Sequence, residues 1–398
     1  MKIAMLSVHS SPVGALGTKH TGGMSVYIRE LARELGSLGH RVDIFTRLDG
    51  APEPSELPLS QNVRLIHLNA GNGGNMPKPA LHPFLHAFSR ALEDFVASRG
   101  LAYDLVHSHY WLSGIPGLRV QRRWKIPHVL MFHTLGAVKN GTGVGEPESE
   151  LRIATERKLA NACHRVFVPT QREKRNLMIH YGISGERIGV VPCGVNLDLF
   201  QPMEKASARR RLGLDPDATI LLYVGRFDPL KGIEGLLSAM IDLKHRKRLR
   251  LILVGGDGLN SPEFQRLKER SRAMGVKEAV SFAGRIDQKD LPPYYCAADA
   301  LIVPSHYESF GLVGLESLAC GTPVISTRVG FLADMLKENR IGWLVDNGSP
   351  KSLADGIDAL VTTLESRETT ADVIRSAVLG FRWSSVASAI VEEYRRLL

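Results

Sequence analysis

The sequence predicts an α/β protein made of two doubly wound parallel-sheet domains. Short β-branched runs alternate with amphipathic helical stretches along the whole chain, the pattern of parallel strands joined by crossover helices. The 398 residues are too many for one typical domain and comfortable for two, each able to bury its own core. Between two similar halves lies Val191-Pro192-Cys193-Gly194-Val195-Asn196-Leu197-Asp198-Leu199-Phe200-Gln201-Pro202. Its proline, glycine and asparagine content marks an ordered linker, with the boundary near 195–202.

In the first half the predicted strands are Ile3–Val8, Val42–Thr46, Val63–Leu68, Leu105–His109, His128–His133, Val166–Pro169 and Gly189–Pro192. The first helix places Met24, Tyr27, Ile28, Leu31, Leu35 and Leu38 on one face and stops at Gly39, where a left-handed residue ends helices at little cost. In the second half the strands are Thr219–Val224, Leu251–Gly255, Val280–Ala283, Ala300–Val303, Pro323–Ser326 and Trp343–Val345. A final helix runs from Ser384 to Leu398, with Val386, Ala389, Ile390 and Leu397 apolar. Two glycine-rich segments are candidates for movement: Gly71 to Pro79 reads as a turn-rich segment mobile when empty, and Ala137 to Glu150 as one that orders on ligand binding.

Composition excludes several classes. Hydrophobic residues make up 44% and charged residues 23%, ordinary for a globular protein. No apolar run approaches the roughly 20 residues needed to span a bilayer. The N-terminus reads as a first strand rather than a signal peptide, so the expected location is cytoplasmic. The cysteines Cys163, Cys193, Cys296 and Cys320 are scattered without a metal-ligand spacing, which argues against zinc and against a disulfide framework. A formal charge of +9 favours anionic partners. The basic clusters are short and read as solvated helix faces; Arg119 to Lys125 carries Trp124 and is the one candidate for weak peripheral membrane contact. No nucleic-acid-binding signature accompanies them.

The chemistry concentrates in Pro304-Ser305-His306-Tyr307-Glu308-Ser309-Phe310-Gly311-Leu312-Val313-Gly314-Leu315-Glu316. Glu308 and the Ser309-Phe310-Gly311 turn follow a buried strand, at the carboxyl end where open α/β sheets bind ligands. Backbone amides of that turn face an anion at the start of the following helix, and Glu316 reaches another part of the same ligand. After the strand Thr219–Val224, Arg226 and Lys231 bracket a turn. A guanidinium fork and an ammonium there neutralise a diphosphate without a metal ion. The first strand leads to no GxGxxG, which disfavours a nicotinamide enzyme. Gly22-Gly23 at a helix start instead lets amides approach an anion closely. His107, His109 and His133 end two strands; they read equally as catalytic or as packed structural groups, and a metal site is disfavoured for want of a completing ligand. The reading that joins these pieces is a nucleotide-sugar site.

Gly22-Gly23-Met24, His109-Tyr110-Trp111, His133-Thr134, Gly225-Arg226 to Lys231 and Glu308-Ser309-Phe310-Gly311 to Glu316 together resemble the retaining glycosyltransferases of family 4, nearly end to end. Within that family the resemblance is to enzymes that glycosylate inositol phosphate and, second, to sucrose-phosphate synthases. It implies the GT-B fold: two Rossmann-like domains facing across a cleft. Residues 1–195 would bind the acceptor, 196–383 the nucleotide sugar, and the helix 384–398 would pack back on the first domain. It implies that Glu316 holds the ribose and Glu308 a sugar hydroxyl, while Phe310, Gly311 and Leu312 present backbone amides. Arg226 and Lys231 would clamp the diphosphate with Gly23 opposite, His133 would contact the sugar, and Gly284-Arg285-Ile286 would flank the base. Lys78, Tyr110, Thr134 and Arg152 would hold a phosphate on the acceptor.

The activity so implied is retaining transfer of glucose or N-acetylglucosamine from a UDP-sugar to a phosphorylated polyol or sugar. No cofactor is required, with Mg²⁺ at most a non-essential aid, and a homodimer is compatible with it. Inositol-phosphate enzymes tend to carry asparagine after Gly-Gly-Met, where this chain has Ser25, which leaves the acceptor's identity open. The other readings are a transferase acting on a lipid or polysaccharide, a nucleotide-sugar epimerase or phosphorylase, and a non-catalytic nucleotide-sugar-binding protein.

Overall fold

The computed structural model describes all residues except 15–20, 49–54, 72–75, 338–340 and 365–369. Part of the Gly71–Pro79 loop therefore lies outside the described residues, as does the end of the segment between the first strand and Gly22.

Among the described residues, the first sheet has eight strands in the order β3-β4-β2-β1-β5-β6-β7-β8. They are β1 (Lys2–Leu6), β2 (Arg41–Arg47), β3 (Glu56–Ser60), β4 (Val63–Leu68), β5 (Leu105–His109), β6 (His128–Met131), β7 (Arg165–Val168) and β8 (Ile188–Val190). The second has six in the order β11-β10-β9-β12-β13-β14: β9 (Thr219–Gly225), β10 (Leu249–Gly255), β11 (Val280–Gly284), β12 (Ala300–Val303), β13 (Val324–Thr327) and β14 (Gly342–Val345). Helices cover both faces of such a sheet, so central strands such as β12 are buried throughout.

One strand departs from the all-parallel expectation. β3 pairs antiparallel with β4, with a register irregularity at Pro58 to Ser60. It lies at the sheet's edge, where a proline without an N–H is tolerated, and its Glu-Leu-Pro-Leu-Ser sequence carries no β-branched signal.

The Gly23–Ser37 helix buries Tyr27, Ile28, Leu31 and Leu35. Against it packs the last helix, Trp383–Arg395. Trp383 meets the Tyr27 ring edge-on at 5.5 Å, the Tyr394 hydroxyl lies 2.7 Å from His107 Nδ1, and Glu393 pairs with Arg165. The chain thus returns from the second sheet to the first. The linker between the halves is pinned by Arg375, whose guanidinium donates to the carbonyls of Phe200 and Ala319 at 2.5 Å and of Leu197 at 2.8 Å. A single apolar cluster runs from the first sheet through Val195, Leu197 and Phe200 into the second, which couples the two units mechanically.

Candidate active site

Each sheet reverses its strand order once, between β1 and β5 and between β9 and β12. Ligands of open α/β sheets bind outside the strand carboxyl ends at that reversal. Here the two crevices face each other across a cleft of about 740 Å³, within the range of small-molecule sites. The structure brings to this one cleft His133, Arg226, Lys231, Glu308, Gly23, Arg285, Phe310, Gly311, Leu312, Glu316, Lys78, Tyr110, Thr134 and Arg152.

On the second-domain wall two loops are laced together. The turn after β9 is capped by Asp228, whose carboxylate accepts from the Leu230 amide at 2.9 Å. The Leu230 carbonyl in turn accepts from the His306 amide of the loop after β12, at 2.8 Å. Gly232 has φ +70°, and a Cβ there would lie 2.0 Å from the Pro304 carbonyl oxygen, so only glycine permits this approach. The lacing sets Lys231 Nζ 2.6 Å from Glu308 Oε1, which also accepts from Ser305 Oγ at 3.0 Å. Arg226 remains more open, its Asp228 contact being 3.6 Å.

Phe310 stacks on Phe331 at 4.5 Å and so anchors the turn from below. Gly311, at φ +103°, then caps the Leu312–Ala319 helix, on which Glu316 is buried. Glu316 accepts from Gln288 Nε2 at 2.9 Å and from the Tyr295 hydroxyl at 2.7 Å. Burial pushes its carboxyl up to about 7. Arg285 sits exposed at the rim.

The first-domain wall holds the cations. Tyr110 follows β5 with φ +74°, a strained conformation for a bulky residue. Its ring lies under Lys78 Nζ at 5.5 Å and Arg152 Cζ at 4.9 Å, close enough for cation–π attraction. Arg152 is buried and donates to Thr134 Oγ1 at 3.0 Å and to its carbonyl at 3.1 Å. Its other nitrogens meet Glu156 and Glu148, both at 2.7 Å. Burial, and then the neighbouring charges of Arg226, Arg152 and Lys139, bring Lys78 down to about 8. Arg226 stands on the facing wall, so cations of both domains act on Lys78.

His133 stands just past β6 with φ +61°, and its Nε2 lies 3.0 Å from His109 Nδ1. Burial holds His133 down at about 3 and puts His107 and His109 well below the ordinary range. All three are therefore neutral near pH 7, available for hydrogen bonding but not as charges. Among the described residues no group of three or more His, Cys, Asp or Glu side chains has the arrangement to hold a metal ion.

Several residues of the site carried no sequence signal. Gln288 and Tyr295 hold Glu316 from beyond β11, and Arg29 of the first domain donates to Gln288 Oε1 at 2.7 Å. Lys139 pairs with Glu148, and Glu156 secures Arg152. Tyr307 bridges the two domains: its hydroxyl accepts from the Leu135 amide and donates to Glu173, both at 3.3 Å. Only the Ala137–Glu150 glycines hinted at this region.

Two doubly wound domains meeting at their switch points, with a carboxylate, a cation pair and glycine-opened helices around the cleft, define the GT-B class of glycosyltransferases. The chain belongs to glycosyltransferase family 4: residues 21–199 match the family described as Glycosyltransferase Family 4, and residues 204–376 that described as Glycosyl transferases group 1. The D-inositol 3-phosphate glycosyltransferase 2 of Catenulispora acidiphila is 39% identical over 99% of this chain and 95% of its own. The D-inositol 3-phosphate glycosyltransferase of Acidothermus cellulolyticus is 39% identical over 100% of this chain and 90% of its own. Among solved structures, sucrose-phosphate synthase from Thermosynechococcus elongatus superposes with a TM-score of 0.91 at 33% identity, covering 100% of this chain and 98% of that one. The protein is thus a glycosyltransferase, and no helix among the described residues is long and apolar enough to cross a membrane.

Proposed function

We propose that this enzyme transfers glucose or N-acetylglucosamine from a UDP-sugar to a phosphorylated polyol or sugar, with retention at the anomeric carbon and no required cofactor. The observation that carries the reading is the pairing of two cationic sites across one cleft: Arg226 and Lys231 on one wall, Lys78 and Arg152 on the other. The first pair suits a leaving diphosphate and the second a phosphate on the acceptor. The relatives named for inositol 3-phosphate and the neighbour named for sucrose phosphate support a phosphorylated acceptor.

In this reading Glu316 accepts from the ribose hydroxyls, Glu308 from a sugar hydroxyl, and the amides of Phe310, Gly311 and Leu312 with Gly23 line the diphosphate. The bond from the anomeric carbon to the phosphate oxygen breaks as the acceptor hydroxyl attacks from the same face. The departing phosphate oxygen takes the acceptor's proton, and Arg226 and Lys231 stabilise the charge that develops there. Ser25 is fully buried, with its hydroxyl 2.7 Å from Ser10 Oγ. It is engaged within the first domain, which favours the wider class of phosphorylated acceptors over inositol phosphate alone.

The test is nucleotide release from UDP-, GDP- and ADP-sugars, with and without inositol phosphate or fructose 6-phosphate. Turnover with a UDP-sugar only when a phosphorylated acceptor is present is the expected result. Turnover that ignores the acceptor's phosphate would overturn the acceptor class.

A further inference from the structure

His133 Nε2 and His109 Nδ1 lie 3.0 Å apart, so one carries a proton and the other accepts it. His109 is fully buried, and its remaining nitrogen, Nε2, has no hydrogen-bond partner among the described residues. A buried N–H without an acceptor is among the costliest orphans in a protein, whereas a bare lone pair is better tolerated. The lower-cost arrangement leaves His109 Nε2 bare and places its single proton on Nδ1, donating to His133 Nε2. Burial keeps both rings neutral. A neutral His133 whose Nε2 accepts must carry its own proton on Nδ1. That atom has no partner among the described residues and is not one of the buried unpartnered atoms, so with the ring lining the cleft it opens on the ligand space.

We propose that His109 is a positioning residue that locks His133 in the Nδ1-protonated tautomer, so that the cleft meets a fixed N–H donor aimed at an oxygen of the transferred sugar and not a base. The packing around the pair is made for a fixed orientation. The His107 ring lies 4.2 Å from that of His109, and Tyr27 meets His109 and His133 edge-on at 5.8 and 5.2 Å. Trp383 and Tyr394 of the last helix back Tyr27 and His107. A consequence follows for the reaction: His133 has no lone pair facing the acceptor, so the acceptor's proton leaves with the phosphate. This inference rests on the proposed hexosyl transfer for its role in turnover, but the tautomer itself is measurable without turnover.

The experiment labels the protein with ¹⁵N-histidine and reads long-range ¹H–¹⁵N correlations, with His133 assigned by the signals lost in His133→Gln. The expected pattern is a protonated Nδ1 and a bare Nε2 on His133. His109→Leu is expected to shift His133 to a mixture of tautomers. It should also lower kcat about tenfold, the worth of one hydrogen bond made in the transition state, with KM for the nucleotide sugar within about twofold. His109→Asn, whose amide keeps an N–H near the Nδ1 position, should restore both readouts. A wild-type His133 protonated on Nε2, or an unchanged tautomer and kcat in His109→Leu, overturns the proposal. Should His109→Leu not fold, the wild-type and His109→Asn spectra decide. The expected tautomer in a protein that transfers no hexose supports the lock and defeats the functional reading; the opposite tautomer in an active enzyme defeats the lock alone.

Discussion

Two lysines of the cleft are held in opposite ways. Lys231 is fixed by a carboxylate, its ammonium 2.6 Å from Glu308, while Lys78 is brought down to about 8 by burial first and then by the cations around it. For Arg226 and Lys231, which the proposed mechanism sets where charge develops, Ala substitutions are expected to lower kcat by about 10²–10³-fold, the usual cost of a transition-state contact. The KM for the nucleotide sugar should change far less; equal losses in steady-state kinetics would remove them from that role. For Lys78 the sign follows from its charged form. The protonated ammonium binds phosphate, and it is lost as pH rises through about 8. The phosphate of the proposed acceptor gains its second charge near pH 6 (about 6 for a phosphomonoester). Acceptor KM is therefore expected to be lowest between those values and to rise in alkali. Lys78→Arg, charged throughout, should flatten the alkaline limb, and a profile that does not change would exclude Lys78 from the phosphate pocket.

At the scale of elements, the site depends on where loops meet. The loop after β12 carries Tyr307 and Glu308 side by side, and Tyr307 reaches across the cleft to the Leu135 amide and Glu173. Leu135 follows Thr134 directly, so this bridge ties the first-domain wall to the Glu308 turn of the second. Tyr307→Phe keeps the ring and removes both bonds. It is expected to cost about 1 kcal/mol, the net worth of an ordinary buried hydrogen bond, and to lower Tm by about 2–4 °C in calorimetry. Turnover should fall with it, because the two walls lose a shared reference. Full activity in Tyr307→Phe would show that the bridge only stabilises the fold.

At the scale of the whole molecule, buried titratable groups set the pH of greatest stability. Glu316 and Glu173 are both pushed up to about 7 by burial. Their contribution is full below the ordinary carboxylate range (about 4.3) and is lost as pH rises through about 7. The histidines act in the opposite sense. His128 and His133 are held at about 3, and His107 and His109 are also lowered. Their contribution is full above about 6.5, the free imidazole value, and is lost as pH falls. Stability measured by denaturant unfolding is therefore expected to peak at about pH 6.5. Glu173→Gln should reduce the decline on the alkaline side; a decline of unchanged steepness would show that other groups cause it. The last helix makes a second test at this scale. It buries Trp383, Val386, Ile390, Val391 and Tyr394. At about 1.5–3 kcal/mol for each large apolar side chain, their sum is comparable to the whole net stability of a domain. A chain ending at residue 382 is expected to lose protease resistance in the first domain, though the helix follows the second in sequence.

What the sequence determined by itself was local and periodic. The strand Ala300–Val303 and the turn into the Leu312 helix were legible because a short apolar run and a glycine in the left-handed region each leave a signature within a few residues. Strand ends were less so: the run read as His128–His133 pairs only as His128–Met131, because His133 turns out of the sheet with a positive φ. The edge strand β3 was invisible, since its pairing partner and not its composition makes it a strand. The candidate site divides in the same way. Gly23, Arg226, Lys231, Glu308 and Glu316 were nameable from the turns and helix starts that carry them, and Lys78, Tyr110, Thr134, Arg152 and Arg285 only from the family resemblance. Gln288, Tyr295, Glu156, Glu173 and the hydrogen bond between His109 and His133 were not, because each matters through a partner distant in sequence. The return of Trp383 and Tyr394 to the first sheet, the lacing of Gly232 against Pro304 and the field of Arg226 on Lys78 came only with the tertiary structure. A hydrogen bond or a Coulomb term is a function of distance in space, and no spacing along the chain contains it.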